Sequence, residues 1–480
     1  MLYTGAEVLI ETLLERGTDT VFGAPCAAVA DALSRSRGRI THVQTVSRRA
    51  AVFAADGYAR MTNEPGVCFS KGSVYDLVPG IAAAYADSSP LVCIAESGED
   101  SEYSDILLPI VKKRVNIQGS DDLQKAMRNA LAHAAADRPL PVFVSVSPES
   151  LDKTVNAESP PESIRTENAH FRAETAKGMI AASKTPLILA GGGARGLVTG
   201  KRLAEFAELL GAPVACSLMG VSVFPTSHPL YYGLLDDEIT MRSDLIVAVG
   251  TRFAPRLRQS VGRLPPVLHI NVDFGGINIL PRDTYIKGDA KNVLDMLLNS
   301  VEQKHNPEWR EYLESRRAAL SRREMQPQDK LMWFTAQMTG PEAIICTDTG
   351  SLMTTAADYL SFEKNGRFIV NGGTGAADFG LAAAIGAQCA CPEKTVAYIT
   401  EKEYFLGSAP ELQTVARYHL PIIVIVVNAG ATPDIGALAA AHGIQSAGAF
   451  YREGYLGKLR AMLATRKAGV LTTNMSAFVD

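Results

Sequence analysis

Features that mark several special protein classes are missing from this 480-residue sequence. No stretch approaches 18 consecutive apolar residues, the length typical of a membrane-spanning helix. The formal net charge is only −4 and the basic residues are scattered, so nothing indicates a nucleic-acid or membrane-surface partner. The N-terminal segment carries Glu7, Glu11 and Glu15 in place of a basic region, so it does not predict a signal peptide.

Cysteine is scarce, and its pattern argues against two further classes. Seven cysteines is an odd number, and most of them lie in apolar runs, as Cys68 and Cys93 do. This favours reduced, buried thiols and a cytoplasmic location over a disulfide framework. Cys389 and Cys391 form a single C-x-C pair without a second pair, so the sequence does not predict a zinc site.

Short apolar runs alternate with helical patterns along the whole chain. This alternation is typical of parallel sheets with crossover helices, and the length suits about three domains of roughly 150 residues. A polar, proline-bearing stretch at 152–170 indicates a linker, and a charged helical run at 308–326 closes the second unit. We therefore predict an α/β fold of three parallel-sheet domains at residues 1–155, 172–325 and 330–480.

The segment Gly191–Gly196 fits the pattern G-x-G-x-x-G and follows an apolar run. In a Rossmann dinucleotide site, such glycines bring a pyrophosphate onto a helix N-terminus. No acidic residue stands at the end of a second strand about 20 residues later, where that site would need one. We therefore interpret the segment as a plain strand-to-helix turn, with NAD binding as the alternative.

Longer segments in all three units resemble the thiamine-diphosphate (ThDP) enzymes, and acetolactate synthase in particular. The similar segments are 20–33, 50–68 and 80–94 in the first unit, 209–235, 243–253, 268–273 and 288–290 in the second, and 347–351, 380–400 and 411–428 in the third. The resemblance implies three flavodoxin-like or Rossmann-like domains in the arrangement of pyruvate oxidase and acetolactate synthase. It also implies a homodimer or tetramer, with pockets between the first domain of one subunit and the third domain of its neighbour.

The sequence departs from this family where the family activates its cofactor. A glutamate in a His-Glu-Gln-Gly run lies beside N1′ of ThDP in relatives and takes part in the proton transfer that forms the reactive carbanion. The matching run here is Ser47-Arg48-Arg49-Ala50, which places Arg48 at the glutamate position. A guanidinium has a pKa above about 12 and accepts no hydrogen bond, so Arg48 cannot take that proton.

The positions that hold metal and diphosphate in the family differ in a similar way. Glu401-Lys402-Glu403 matches the family's Gly-Asp-Gly, and Asn428-Ala429 matches its Asn-Asn pair. Because Mg²⁺ requires oxygen donors, an ammonium at position 402 is expected to repel it. We therefore expect no metal site, and expect ThDP and Mg²⁺ to be absent. Whether the central domain binds FAD, as acetolactate synthase does, or no nucleotide stays open, with no nucleotide favoured.

A pocket altered in this way is suited to a small anionic substrate that bears a carboxylate or phosphate. The candidate catalytic residues are Cys26 as a nucleophile, Arg48 as an anion binder and Lys402 as an acid–base group. A nearby cation such as Arg48 or Lys71 would stabilise a Cys26 thiolate. The remaining candidates for the ligand pocket are Lys71, Tyr75, Asp76, Glu401, Glu403 and Asn428.

Each candidate has a structural alternative. Cys26 follows Pro25 and can be a small packing residue, while Arg48 and Lys402 can form ion pairs with neighbouring carboxylates, since unpaired buried charges are costly. Three functions remain open. The favoured one is a ThDP-independent enzyme, the second is a non-catalytic partner of an active paralogous subunit, and the third is a ThDP-dependent lyase or carboligase acting on 2-oxo acids.

Overall fold

The chain forms three six-stranded sheets in a computed structural model, which confirms the predicted α/β class. The structure describes residues 3–72, 74–97, 99–119, 122–155, 173–253, 264–275, 277, 279–363, 366–428, 430 and 433–479. The proposed linker at 152–170 lies largely outside these residues. The predicted domain limits stay predictions.

The strands are short, and those in the middle of each six-stranded sheet are almost wholly buried, as expected where helices cover both faces of a parallel sheet. They are β1 (Tyr3–Thr4), β2 (Thr20–Gly23), β3 (Thr41–Val43), β4 (Gly66–Ser70), β5 (Leu91–Glu96), β6 (Lys113–Ile117), β7 (Pro141–Val146), β8 (Thr154–Val155), β9 (Pro186–Ala190), β10 (Val214–Cys216), β11 (Tyr231–Leu234), β12 (Leu245–Val249), β13 (Val267–Asn271), β14 (Thr284–Lys287), β15 (Ile344–Thr347), β16 (Phe368–Ile369), β17 (Val396–Glu401), β18 (Ile422–Val427), β19 (Gln445–Ala449) and β20 (Gly469–Thr473).

The α-helices of the described residues connect these strands. They are α1 (Gly5–Glu15), α2 (Ala27–Arg35), α3 (Arg48–Thr62), α4 (Val78–Asp87), α5 (Leu123–Ala135), α6 (Pro148–Asp152), α7 (Ala173–Ala182), α8 (Leu197–Leu210), α9 (Asp237–Arg242), α10 (Ala290–Leu298), α11 (Pro307–Arg322), α12 (Pro327–Thr339), α13 (Ser351–Tyr359), α14 (Phe379–Ala390), α15 (Lys402–Ser408), α16 (Leu412–Arg417), α17 (Ile435–Ala441) and α18 (Arg452–Thr465). Within the described ranges, none has the length and apolarity needed to cross a bilayer.

Strand order is that of doubly wound sheets. It is β3-β2-β4-β5-β7-β6 in the N-terminal sheet, β11-β10-β9-β12-β13-β14 in the central sheet and β16-β15-β17-β18-β20-β19 in the C-terminal sheet, and β1 pairs antiparallel with β8. Neighbouring strands such as β4 and β5, or β17 and β18, run parallel. Ligand sites in such sheets lie beyond the carboxyl ends of the strands, where the strand order reverses.

The N-terminal and C-terminal sheets belong to one compact unit, and the central sheet forms a second unit. Inside the first unit, α3 packs against α14, and Phe53 and Phe379 meet edge-to-face at 5.4 Å. Glycine permits this approach, because a Cβ on Gly57 would stand 2.1 Å from the carbonyl oxygen of Ala383. A Cβ on Gly386 would stand 1.8 Å from the carbonyl oxygen of Ala54.

The glycines of the Gly191–Gly196 segment also serve close backbone packing. A Cβ on Gly191 would stand 2.4 Å from the carbonyl oxygen of Gly250, and one on Gly193 would stand 2.9 Å from the Cα of Gly250. The turn after β9 therefore lies directly on the turn after β12. This contact explains the glycines without a dinucleotide and supports the strand-to-helix interpretation.

We predict that Gly386→Ala destabilises the protein by about 1–3 kcal/mol, because the new methyl group overpacks the contact between α3 and α14. The matched control is Gly457→Ala in α18, where nothing lies within 4 Å of the added Cβ. That change should stabilise the protein by up to about 1 kcal/mol, since alanine is the better helix former. Urea unfolding monitored by circular dichroism measures both, and equal midpoints for the two variants would contradict the packing argument.

Candidate functional site

The carboxyl edge of the N-terminal sheet brings together most of the candidates from the first domain. Cys26 lies just beyond β2, Lys71 follows β4, and α3 begins with Arg48 after β3. A short 3-10 helix, Val74–Leu77, carries Tyr75 and Asp76. Lys71, Tyr75 and Asp76 are exposed, so their side chains face solvent in this chain.

Arg48 is held by partners from its own domain. Its Nη1 lies 2.5 Å from Oδ2 of Asp76, and its Nε donates to the carbonyl oxygen of Lys71 at 2.8 Å. The two charged side chains are 40% and 52% exposed. An ion pair at such exposure contributes at most about 1 kcal/mol. The structural alternative for Arg48, an ion pair with a neighbouring carboxylate, is thus formed. The guanidinium stays accessible to solvent in this position.

The next residue, Arg49, reaches the C-terminal domain. Its Nη2 lies 2.5 Å from Oδ2 of Asp378, the residue that precedes α14. Asp378 has a φ of +64°, a left-handed conformation that few residues other than glycine adopt readily. Gly407 makes room for its side chain, because a Cβ there would stand 1.8 Å from Oδ1 of Asp378. No sequence motif singled out this ion pair.

Glu401 and Lys402 lie at the carboxyl end of β17, and Asn428 lies at the end of the adjacent strand β18. Glu401 accepts a hydrogen bond from Ser351 at 3.3 Å, and Asn428 accepts one from the backbone N–H of Met475 at 3.3 Å. A Cβ on Gly430 would stand 3.4 Å from Nζ of Lys402. The ammonium of Lys402 therefore lies beside the segment that follows β18. Ala429, also considered from the sequence, lies outside the described residues.

Asp348, at the end of β15, is a buried acid that sequence reasoning did not single out. Its Oδ2 accepts from Thr400 at 2.8 Å and from the hydroxyl of Tyr398, and its Oδ1 accepts from the backbone N–H of Gly380 at 3.0 Å. Burial raises the pKa of Asp348, while these donors oppose the rise. Its place in the run Thr347–Ser351, directly after a buried strand, is the sequence feature that could have identified it.

Cys26 belongs to the hydrophobic core of the N-terminal sheet, where it is 6% exposed. Burial raises the pKa of its thiol, and the negative charge of Glu96 raises it further. Arg48, expected to stabilise a thiolate at Cys26, donates to Asp76 and to the carbonyl oxygen of Lys71. The surroundings of Cys26 favour the packing alternative.

A buried ionic network joins the N-terminal domain to the loop that precedes α14. Arg60 donates to Asp56 at 2.7 Å, to Asp87 at 2.8 Å and to the carbonyl oxygen of Val370 at 2.6 Å. Burial alone would lower the pKa of Arg60, but the two carboxylates raise it above its ordinary value. Asp87 also accepts from Asn371 at 3.1 Å. This network fixes the start of the loop that ends at Asp378.

Three models of thiamine pyrophosphate (TPP) enzyme domains match the chain in sequence. The N-terminal TPP binding domain matches residues 3–147, the central domain 173–297 and the C-terminal TPP binding domain 348–437. The acetolactate synthase isozyme 3 large subunit of Escherichia coli is 32% identical, with 89% of this chain and 82% of the relative covered. The chain belongs to the acetolactate synthase family.

Two further relatives extend this similarity. The acetolactate synthase large subunit of Corynebacterium glutamicum is 30% identical over 89% of this chain and 75% of its own length. That of Haemophilus influenzae is 29% identical over 88% of this chain and 82% of its own length. These relatives are named large subunits.

The expectation that ThDP and Mg²⁺ are absent was wrong, because both TPP binding domains of the family match this acetolactate synthase-like chain. The donor chemistry at the edge of the C-terminal sheet is compatible with that finding. The ammonium of Lys402 can bind a diphosphate, and Glu401, Glu403 and Asn428 supply oxygen atoms. Among the described residues, no three His, Cys, Asp or Glu side chains converge on a metal site. Mg²⁺ commonly takes only one or two carboxylates from a protein and completes its shell with phosphate oxygens and water.

We predict that native Cys26 resists alkylation by iodoacetamide near pH 8, because burial and Glu96 disfavour the reactive thiolate. Unfolding in urea should make Cys26 fully reactive. Peptide mass spectrometry at increasing reaction times measures modification at each cysteine. The half-buried Cys391 serves as an internal reference. Native-state modification of Cys26 faster than that of Cys391 would restore the nucleophile hypothesis.

Proposed function

We propose that this acetolactate synthase-like protein binds ThDP and acts as a lyase or carboligase on a small 2-oxo acid. The observation that carries the proposal is the position of Lys402, whose ammonium lies beside Gly430 at the carboxyl ends of β17 and β18. A cation at this edge neutralises a diphosphate, and Glu401, Glu403 and Asn428 are the residues that would hold the accompanying metal. When bound, ThDP supplies the carbanion that breaks or forms a bond next to a carbonyl group.

Arg48 is proposed to bind the carboxylate of the 2-oxo acid. A guanidinium recognises a carboxylate through two parallel hydrogen bonds, and it stays charged at all physiological pH values. Its partner Asp76 is half exposed, so a substrate carboxylate can compete for the guanidinium at small cost. Lys71 and Tyr75 are proposed to line the same pocket. Arg48 cannot accept a proton, so it binds and orients but does not act as a base.

A homo-oligomer with this pocket at a subunit interface is part of the proposal, because the resemblance to the family implies it. A second, paralogous subunit is the alternative partner, and the relatives' designation as large subunits supports it. A cytoplasmic location and a central domain without FAD stay predictions. Light scattering of the purified protein tests the oligomeric state. The absorption spectrum above 400 nm tests whether a flavin is bound.

We predict that ThDP with Mg²⁺ raises the melting temperature of the wild-type protein, since ligand at 100 times Kd stabilises the folded state by about 2.7 kcal/mol. Lys402→Ala should weaken ThDP binding about tenfold, the loss expected for one charge-assisted contact to phosphate. The matched control Lys467→Ala removes an exposed lysine that is remote from the carboxyl ends of β17 and β18. This variant should bind ThDP normally. Calorimetric titration measures the affinities.

The catalytic half of the proposal needs a separate assay. ThDP-loaded protein should release CO₂ from one member of a panel of 2-oxo acids, or ligate two of them, and Arg48→Ala should raise KM more than it lowers kcat. ThDP binding without turnover would indicate that the protein is a cofactor-binding subunit that requires an active partner. Wild-type protein that shows neither binding nor a thermal shift at millimolar ThDP would overturn the proposal.

A further inference from the structure

Glu411 is a carboxylate of the C-terminal domain that lies at the start of α3 in the N-terminal domain. It is 3% exposed and ends the 3-10 turn Ala409–Glu411. Its Oε1 accepts from the backbone N–H of Ser47 at 2.9 Å and from the hydroxyl of Ser47 at 3.3 Å. Its Oε2 accepts from the backbone N–H of Val46 at 3.1 Å and from Thr414 at 2.7 Å.

These contacts satisfy both oxygens of a buried charge. A buried carboxylate is costly unless donors surround it, and charge-assisted hydrogen bonds are about twice as strong as neutral ones. Ser47 also caps α3, because its hydroxyl accepts from the backbone N–H of Ala50 at 3.1 Å. The same hydroxyl therefore donates to Glu411 and accepts from the first turn of the helix. A residue of the C-terminal domain therefore fixes the position of the N-terminal end of α3.

A second contact holds the same loop. The backbone N–H of Gln44 donates to the hydroxyl of Tyr418 at 2.8 Å. Glu411 and Tyr418, which flank α16, therefore both contact the loop between β3 and α3. Arg48 follows Ser47 directly, and the direction of its side chain depends on the backbone of this turn. By contrast, Arg48 itself donates to Asp76 and to the carbonyl oxygen of Lys71, which both belong to the N-terminal domain.

We propose that Glu411 is a positioning residue that acts through Ser47 to aim Arg48 at the carboxylate of the substrate. This inference rests on the proposed function, in which Arg48 binds a 2-oxo acid. It assigns to Glu411 a role in substrate affinity in addition to its contribution to stability. A residue that only joins the two domains would lower stability without changing substrate affinity through Arg48.

The first test does not depend on any ligand. In Glu411→Ala, the backbone amides of Val46 and Ser47 lose their acceptor, so their hydrogen exchange should accelerate while exchange in the β-strands is unchanged. Glu393→Ala is the matched control, because Glu393 is an exposed carboxylate of the same domain. Amide protection that is retained at Val46 and Ser47 overturns the inference, whatever the function of the protein.

The second test uses pyruvate, the simplest 2-oxo acid, with the ThDP- and Mg²⁺-loaded full chain. Glu411→Ala and Arg48→Ala should each raise KM about tenfold, equivalent to about 1.4 kcal/mol, with a smaller change in kcat. The double variant should show the loss of one of them, not the product, because both changes remove the same interaction. Glu411→Gln keeps one acceptor oxygen and should recover part of the affinity, and it also serves if the alanine variant does not fold.

The outcomes separate the two proposals. If Arg48→Ala leaves KM unchanged, the assignment of Arg48 to the substrate is wrong, and the positioning role of Glu411 falls with it. If Arg48→Ala raises KM but Glu411→Ala does not, or if the two effects multiply in the double variant, the proposed function stands and the inference about Glu411 is wrong.

Discussion

The close approach of α3 to α14 is the constraint on which the rest of the first unit depends. Two glycines, Gly57 and Gly386, remove the side chains that would hold the helix backbones apart. Once the helices touch, Arg60, already paired with Asp56 and Asp87 of its own domain, also reaches the carbonyl oxygen of Val370. The buried charge is acceptable because it is paired. The position of α3 then fixes where its first turn lies.

That first turn concentrates the charges that distinguish this chain from the family pattern. Three consecutive residues each meet a carboxylate: Ser47 meets Glu411, Arg48 meets Asp76, and Arg49 meets Asp378. Two of these carboxylates come from the C-terminal domain. Each of these three polar side chains therefore has a partner in the fold. The turn carries two arginines at the edge of the N-terminal sheet, and each of them is paired with a carboxylate.

The wrong expectation about the cofactor has a physical cause. It considered Lys402 only as a residue that cannot bind a metal ion. It also gave single substituted positions more importance than the similarity of the domains that contain them. Magnesium bound with a diphosphate needs few protein ligands, since phosphate oxygens and water complete its shell. A lysine beside such a group can bind the phosphate directly as a point charge. The domain matches across residues 3–147 and 348–437 outweigh the identity of one ligand.

The sequence by itself determined the α/β class, the three sheets and the family, because apolar runs alternating with helical patterns record which residues are buried in parallel strands. It also located the turn at Gly191–Gly196 correctly. The tertiary structure alone decided the partners of the charges. Glu411 and Ser47 are 364 positions apart, and their contact arises only when α3 packs on the C-terminal domain. Burial likewise raises the pKa of the Cys26 thiol, and the residue type alone does not reveal how much solvent folding removes from it.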